Sequence, residues 1–288
     1  MTKTTTSHWL ESLAAHALAI AAVVFALYPV LWVVSLALSG EQNPTARLLP
    51  LPQAPTLDHF RQVVGSSQLV AGEVRWLFGR QLANSLVVSS TTAAAAIAIA
   101  IPAAYALARF RFVGKSAGTS ALLATQMFPA VASAVPLYLL LDRLGLLNSR
   151  SGLILCYAST AVPFAIFQLR AAFESIPIEL EEAAMVDGAT RIQAFVRVVL
   201  PAARPAIAVT ALFAFMSAYN EFILAATLLN REDSYTMPVV LQRYVGEHHA
   251  NWPAFAAGAL LVSTPVMALF YMLQKHVVAG LTAGAVKG

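Results

Sequence analysis

Charged residues are scarce in this chain: Asp, Glu, Lys and Arg make up 11% of 288 residues, against 59% hydrophobic. With a mean hydropathy of +0.70, that deficit lies outside the range of soluble globular chains and makes the bilayer the expected solvent. Cysteine is almost absent. The single Cys156 lies in an apolar stretch, which excludes an intrachain disulfide and leaves the redox compartment open. The net charge of +4 would suit a polyanion. Its basic residues, however, are scattered over short loops with no basic helix or interleaved aromatics, so there is no nucleic-acid footprint. His248 and His249 are adjacent but lack a third ligand, and they read as solvated rather than metal-bound. HExxH and Ser/His/Asp arrangements are missing, as is a phosphate-cradling loop. Gly114-Lys115-Ser116 supplies the second half of Gly-x4-Gly-Lys-Ser/Thr, but Arg109 stands where the first glycine is required. The chain is therefore expected to have no ATP site, no metal and no cofactor of its own.

What it has is long charge-free windows. Crossing about 30 Å of hydrocarbon takes roughly 20 apolar residues in helix. Six stretches qualify or nearly do: Ala17–Leu38, Leu82–Ala108, Ala117–Leu141, Ser151–Leu169, Pro205–Leu229 and Ala250–Gln274, with Glu221 the one formal charge among them. The expected fold class is all-α, a polytopic membrane protein with six transmembrane helices in a single domain, since no internal repeat or low-complexity linker stands out. The N-terminal stretch lacks a small-residue cleavage site and is expected to be an uncleaved first span. Lys and Arg are nearly even on the two sides. The short loop holding Arg109, Arg111 and Lys115 without an acid favours both termini in the cytoplasm.

Outside, on this orientation, lie Ser39–Gln81, which Pro44, Pro50, Pro52 and Pro55 mark as irregular chain, a turn around Asp142–Arg150, and a loop from Asn230 to Asn251. Inside lies the segment 170–204, too polar to span but ordered by local rules. Pro177 suits a first helical position, and Glu179, Glu181 and Glu182 then complement the positive end of the helix dipole. Gly188 stops that helix. Thr190 caps a second one, whose Ile192, Phe195, Val196, Val199 and Leu200 form one stripe before Pro201 ends it. An interfacial helix pair on lipid would show similar amphipathicity, but anionic lipid repels an acidic helix. A protein partner that receives the knob in a groove fits better.

Glu182-Ala183-Ala184, three residues, Gly188, nine residues and Val198-Val199-Leu200-Pro201 resemble the EAA motif of permease subunits in binding-protein-dependent ABC importers. Val198 replaces the usual Ile. Glu181–Thr190, Gln126–Pro129, Tyr219-Asn220-Glu221 and the tail Gly280–Gly288 are similar to the second permease of maltose and trehalose importers, nearly end to end. The resemblance implies the type I importer fold in the bacterial cytoplasmic (inner) membrane and translocation of a sugar such as an α-linked disaccharide. Implied partners are a homologous second permease, two ATPase subunits that hold ATP and Mg, and an extracytoplasmic sugar-binding protein. It further implies ATPase coupling through Glu181, Glu182, Ala183, Ala184, Asp187, Gly188, Leu200 and Pro201. Thr282, Gly284, Lys287 and Gly288 would form an ATPase-contacting tail, and Asn230, Asp233, Ser234 and Tyr235 a loop for the binding protein. Another sugar or glycerol phosphate is the alternative cargo.

Polar groups inside the spans carry two readings. Glu221 is a functional intramembrane carboxylate or a structural one paired near an interface. Gln126, Tyr219 and Asn220 line a sugar path or bond between helices. Pro129, Pro136, Pro163 and Pro265 are expected to kink their spans. An ion-coupled secondary transporter using Glu221 remains the rival class, although it leaves the acidic knob unexplained.

Overall fold

A computed structural model describes residues 5–41, 48–52, 54–70, 73–246 and 250–285. In chain order it contains α1 (Thr5–Ala37), α2 (Asp58–Val64), β1 (Ser67–Val70), β2 (Glu73–Trp76) and α3 (Leu77–Arg109). Next come α4 (Lys115–Met127), α5 (Ala130–Arg143), α6 (Arg150–Ser175) and α7 (Glu179–Val186). The chain continues through α8 (Arg191–Ala194), a π-helical stretch Phe195–Val199, α9 (Leu200–Ala202), α10 (Arg204–Tyr219), α11 (Ile223–Leu228), α12 (Met237–Gln242) and α13 (Trp252–Ala285). The all-α expectation holds.

Among the described residues four helices are long and apolar enough to cross a bilayer: Glu11–Ala37, Leu77–Arg109, Arg150–Ser175 and Trp252–Gln274. Two bent pairs complete six crossings when each is counted as one. They are Lys115–Met127 with Val131–Arg143, bent by 100°, and Arg191–Ala202 with Arg204–Tyr219, bent by 72°. The first break follows from Pro129, which forces Phe128 into extended backbone (ψ 125°) and ends α4. The second lies at Ala203, where Pro205 occupies the first turn of a new helix.

Three local expectations change. The window Pro205–Leu229 is not one helix, because α10 stops at Tyr219 and α11 starts at Ile223. Ser39–Gln81 is not wholly irregular: it holds α2 and an antiparallel hairpin in register Ser67↔Trp76 to Val70↔Glu73, and the Trp76 indole N–H donates to the Val64 carbonyl at 2.5 Å. Pro201 does not end its helix but sits within α9. Lacking an N–H, it gives nothing to the carbonyl of Arg197, and the widened turn just ahead of it accommodates the ring.

The chain divides into two compact units, Met1–Phe78 with Leu241–Ser263 and Gly79–Val240 with Thr264–Gly288. In the first, Ala37, Ala256 and Ala257 pack with Leu36, Phe60 and Leu260. A side chain at Gly258 would collide with Leu241. Among the described residues the second holds at least two cores. One joins Val88, Leu141, Leu153, Tyr157, Leu224 and Leu228. Another joins Ala104, Tyr105, Leu169, Phe173, Val199 and Ala203, and it is the foundation of the knob.

Candidate functional site

The helix pair expected between residues 170 and 204 is present. Pro177 lies just ahead of α7 rather than in its first position, and its carbonyl accepts from the Leu180 N–H at 3.4 Å. Gly188, at φ +91°, makes the turn, a conformation in which a Cβ is strained. Thr190 closes a reciprocal cap: the Gln193 N–H donates to its Oγ1 at 3.3 Å, and its own N–H donates to Gln193 Oε1 at 2.8 Å.

The three acids of α7 have different fates. Glu179 and Glu182 are exposed, while Glu181 is 4% exposed and points inward. The Arg109 guanidinium Nε donates to its Oε1 at 2.5 Å and the Tyr105 hydroxyl to its Oε2 at 2.7 Å. A second Arg109 nitrogen donates to the Ile176 carbonyl at 2.8 Å, so one arginine holds both the helix and the chain leading to it. Tyr105 also packs on Phe195 (4.2 Å between ring centroids) and edge-on to Phe173, tying in the second limb of the knob. Glu181 is thus a mounting residue, and the outward surface is built from others. Val186 (88% exposed), Ile192 (76%), Ile178, Leu180 and Val196 are uncovered beside Glu182, Ala183, Asp187 and Gly188, which are exposed, while Ala184, Leu200 and Pro201 are half-buried. Ile192 and Val196 therefore leave the single apolar stripe that the spacing suggests.

The segment Asn230–Tyr235 is held rather than loose. Asn84, near the start of α3, donates through Nδ2 to the carbonyls of Asp233 and Tyr235, both at 3.0 Å, and its Oδ1 accepts from Arg150 Nε at 2.9 Å. Gln81 donates to the Glu232 carbonyl at 2.9 Å, Ser85 Oγ accepts from the Met237 N–H at 2.7 Å, and Arg80 pairs with the Asp233 carboxylate at 3.3 Å. From the other side Asn148 Oδ1 accepts from the N–H groups of Asn230 and Arg231. Ser234 Oγ closes its turn on the Arg231 carbonyl at 2.7 Å, and Tyr235 is buried. Asn230 and Arg231 are exposed, the latter with its side chain 64% open and paired with Asp233.

Sequence reasoning missed this clamp. Its visible signal is Gln81, Asn84 and Ser85, polar residues at i, i+3 and i+4 opening an otherwise apolar span, hence on one helix face.

The intramembrane candidates lie in different settings. Glu221 caps α11: Oε1 accepts from the Leu224 N–H at 2.9 Å, and Oε2 accepts from the Ala225 N–H at 3.1 Å and the Tyr157 hydroxyl at 2.7 Å. A carboxylate at a helix start satisfies backbone N–H groups that have no partner within the helix, which favours the structural reading. Tyr219 is buried and stacks on Phe215 with ring centroids 5.4 Å apart, whereas Asn220 is exposed. Gln126 donates to the Thr160 carbonyl at 3.1 Å beside a cavity at the α4–α5 break. Of the tail, Thr282 and Gly284 fall in the last turns of α13, while Lys287 and Gly288, like His248 and His249, lie outside the described residues. Among the described residues no group of three His, Cys, Asp or Glu side chains is placed to hold a metal.

Residues 88–282 match the family model described as the binding-protein-dependent transport system inner membrane component. The chain belongs to this family. Relatives of the permease include the galactooligosaccharides transport system permease protein GanQ of Bacillus subtilis, 36% identical with 92% of each chain covered. The trehalose transport system permease protein SugB of Mycobacterium tuberculosis is 36% identical, covering 92% of this chain and 94% of the relative. The maltose/maltodextrin permease MalG of Escherichia coli is 35% identical over 95% of each. Among solved structures, a bacterial ABC transporter involved in the import of the acidic polysaccharide alginate aligns with a TM-score of 0.74 at 25% identity, covering 96% of the permease and 99% of that chain. The expected resemblance to maltose and trehalose permeases and the type I importer fold are thereby borne out. The permease is an inner-membrane component.

Proposed function

We propose that this permease forms half of the pore of an ATP-driven sugar importer, with a neutral α-linked disaccharide such as maltose or trehalose as cargo. It pairs with a homologous permease, takes its energy from two ATPase subunits that bind ATP and Mg, and receives sugar from an extracytoplasmic binding protein. Both termini face the cytoplasm, on the side of Arg109, Arg111, Lys115 and the knob. The observation that carries this reading is the knob. Glu179, Glu182 and Asp187 and the apolar Val186, Ile192, Ile178, Leu180 and Val196 are uncovered, while the buried Arg109–Glu181–Tyr105 group ties the knob's base to a membrane-crossing helix. Exposed apolar side chains together with exposed acids fit a protein groove, and a rigid mount lets a push on the knob reach the span. Glu182, Ala183, Asp187 and Gly188 form the docking surface, and Leu200 and Pro201 carry the motion into α10. Thr282–Gly288 supply an ATPase-contacting tail, and Asn230–Tyr235 meet the binding protein.

The secondary-transport reading depended on Glu221, whose two oxygens already serve Tyr157, Leu224 and Ala225. The deciding experiment is uptake of labelled maltose and trehalose into vesicles holding the permease with and without its partner permease, ATPases and binding protein. Uptake that requires all of them and ATP is expected. Full transport by this chain alone would overturn the proposal.

A further inference from the structure

The break between α4 and α5 opens a cavity of about 830 Å³, within the roughly 300–1,000 Å³ of small-molecule sites. Its walls come from three helices: Thr125 and Gln126 end α4, Phe128 stands at the break, Ser133 begins α5, and Ser159 and Thr160 lie on α6. Ser159 and Thr160 are near the middle of the Arg150–Ser175 span, so the cavity sits deep in the membrane. An amide at that depth is costly against lipid tails, so water, protein or a polar ligand faces it.

The hydrogen-bond inventory of the walls is lopsided. Thr125 donates its hydroxyl proton to the Leu122 carbonyl at 2.7 Å, Ser159 to the Cys156 carbonyl at 2.7 Å and Thr160 to the Tyr157 carbonyl at 2.9 Å. Gln126 turns its Nε2 to the Thr160 carbonyl. The three hydroxyl protons and one of the two Gln126 amide protons are thus given to backbone, and what these groups mainly present is acceptor oxygen, because a hydroxyl keeps two lone pairs after donating and an amide keeps its carbonyl. Among the described residues no ionisable side chain lines the cavity. The ligand that matches such walls is rich in O–H donors and carries no charge. A carboxylate would bring acceptors to acceptors with no Arg or Lys to neutralise it. Phe128, largely exposed, offers an aromatic face of the kind on which the C–H side of a pyranose stacks.

We propose that this cavity is a sugar subsite contributed by this chain, selective for neutral oligosaccharides over uronate-containing ones. The inference rests on the sugar-importer reading and adds to it where the sugar touches this subunit and what kind it is.

The native thiol, Cys156, is buried, so a Ser133→Cys permease in the otherwise complete reconstituted complex carries one accessible thiol on this subunit. Its labelling by a water-soluble maleimide is followed with saturating maltose, trehalose or a galacturonate oligosaccharide, with Ser159→Cys as a second reporter should the first assemble poorly. The expected result is labelling slowed severalfold by a neutral sugar and unchanged by the uronate, with protection lost in a Gln126→Leu background. Loss of one good hydrogen bond to the sugar also predicts uptake about tenfold lower in Gln126→Leu. Labelling indifferent to every sugar in a complex that still imports sugar would overturn the subsite alone, and equal protection by the uronate would overturn its selectivity. A complete complex that imports no sugar would instead overturn the importer reading.

Discussion

Removing Arg109 is the most informative perturbation, because the carboxylate it serves stays behind. The Arg109 and Glu181 side chains are 9% and 5% exposed and 2.5 Å apart. In Arg109→Ala the Glu181 carboxylate keeps the Tyr105 hydroxyl but loses its counter-charge, and the Ile176 carbonyl loses its donor. Breaking a buried pair from one side costs about 3–5 kcal/mol. At about 1.4 kcal/mol per decade, the population in which α7 is detached should rise by roughly two to nearly four orders of magnitude. Three comparisons separate this from general damage. Tyr105→Phe removes one hydrogen bond to a charge, about 1.5–3 kcal/mol. Arg170→Ala breaks the Arg170–Glu174 pair, which is far more open at 25% and 44% exposed, and should cost at most about 1 kcal/mol. Arg109→Met with Glu181→Leu replaces both charges by apolar volume and should recover most of the loss, since a buried pair is often no more stabilising than well-packed hydrophobes.

Hydrogen exchange of the α7 amides in the purified permease reads the detachment directly, and ATP-driven uptake reads its consequence. Exchange should accelerate in the order Arg109→Ala, Tyr105→Phe, Arg170→Ala, with uptake falling in the same order. If Arg109→Ala exchanges no faster than Arg170→Ala, or if the double replacement is as loose as the single one, the mount is not what holds the knob.

Asn84→Asp should loosen residues 232–235 more than its size suggests. It keeps the acceptor for Arg150 but turns acceptor oxygen toward the carbonyls of Asp233 and Tyr235. Exchange of that segment should rise and stimulation by the binding protein fall, while basal ATPase activity persists. Gly188→Ala should cost about 1–2 kcal/mol through backbone alone, because no atom lies within 4 Å of the added Cβ. Weaker retention of the ATPase subunits with normal membrane insertion is the result to look for, and unchanged co-purification would count against the turn. Glu221→Gln places an amide NH2 or a single oxygen where two N–H groups and the Tyr157 hydroxyl need acceptors. Thermal stability should drop by about 1–3 kcal/mol with the pH profile of uptake unmoved. A shifted profile with unchanged stability would revive an ion-coupling role.

Hydropathy made α1, α3, α6 and α13 legible, because each is long, apolar and nearly uncharged. It could not show where a long apolar window breaks. Phe128-Pro129 and Glu221 each interrupt a run whose hydropathy reads as continuous. A window counts residues, whereas a break depends on one missing donor or one side-chain oxygen that takes over backbone N–H groups. The knob was readable down to its capping residue, because Gly188, Thr190 and Gln193 act within a few positions of one another. What sequence spacing hid was direction: Glu181 and Glu182 are neighbours in the motif, yet one is buried on Arg109, 72 residues away in sequence, and the other is exposed.

That same separation explains why α3 matters more than its apolar composition suggests. Near one end Gln81, Asn84 and Ser85 hold the segment 232–237, and near the other Tyr105 and Arg109 hold α7. The 28 positions from Gln81 to Arg109 span about 42 Å at 1.5 Å per residue. A displacement at either clamp is thus delivered to the same helix, where main-chain hydrogen bonds leave little slack except at Pro102, which lies inside it. If the helix transmits motion between the clamps, variants at Asn84 and Arg109 should show non-additive effects on binding-protein-stimulated ATPase activity despite lying too far apart to touch. Strict additivity would mean that the two clamps serve their own ends independently, each as a local anchor.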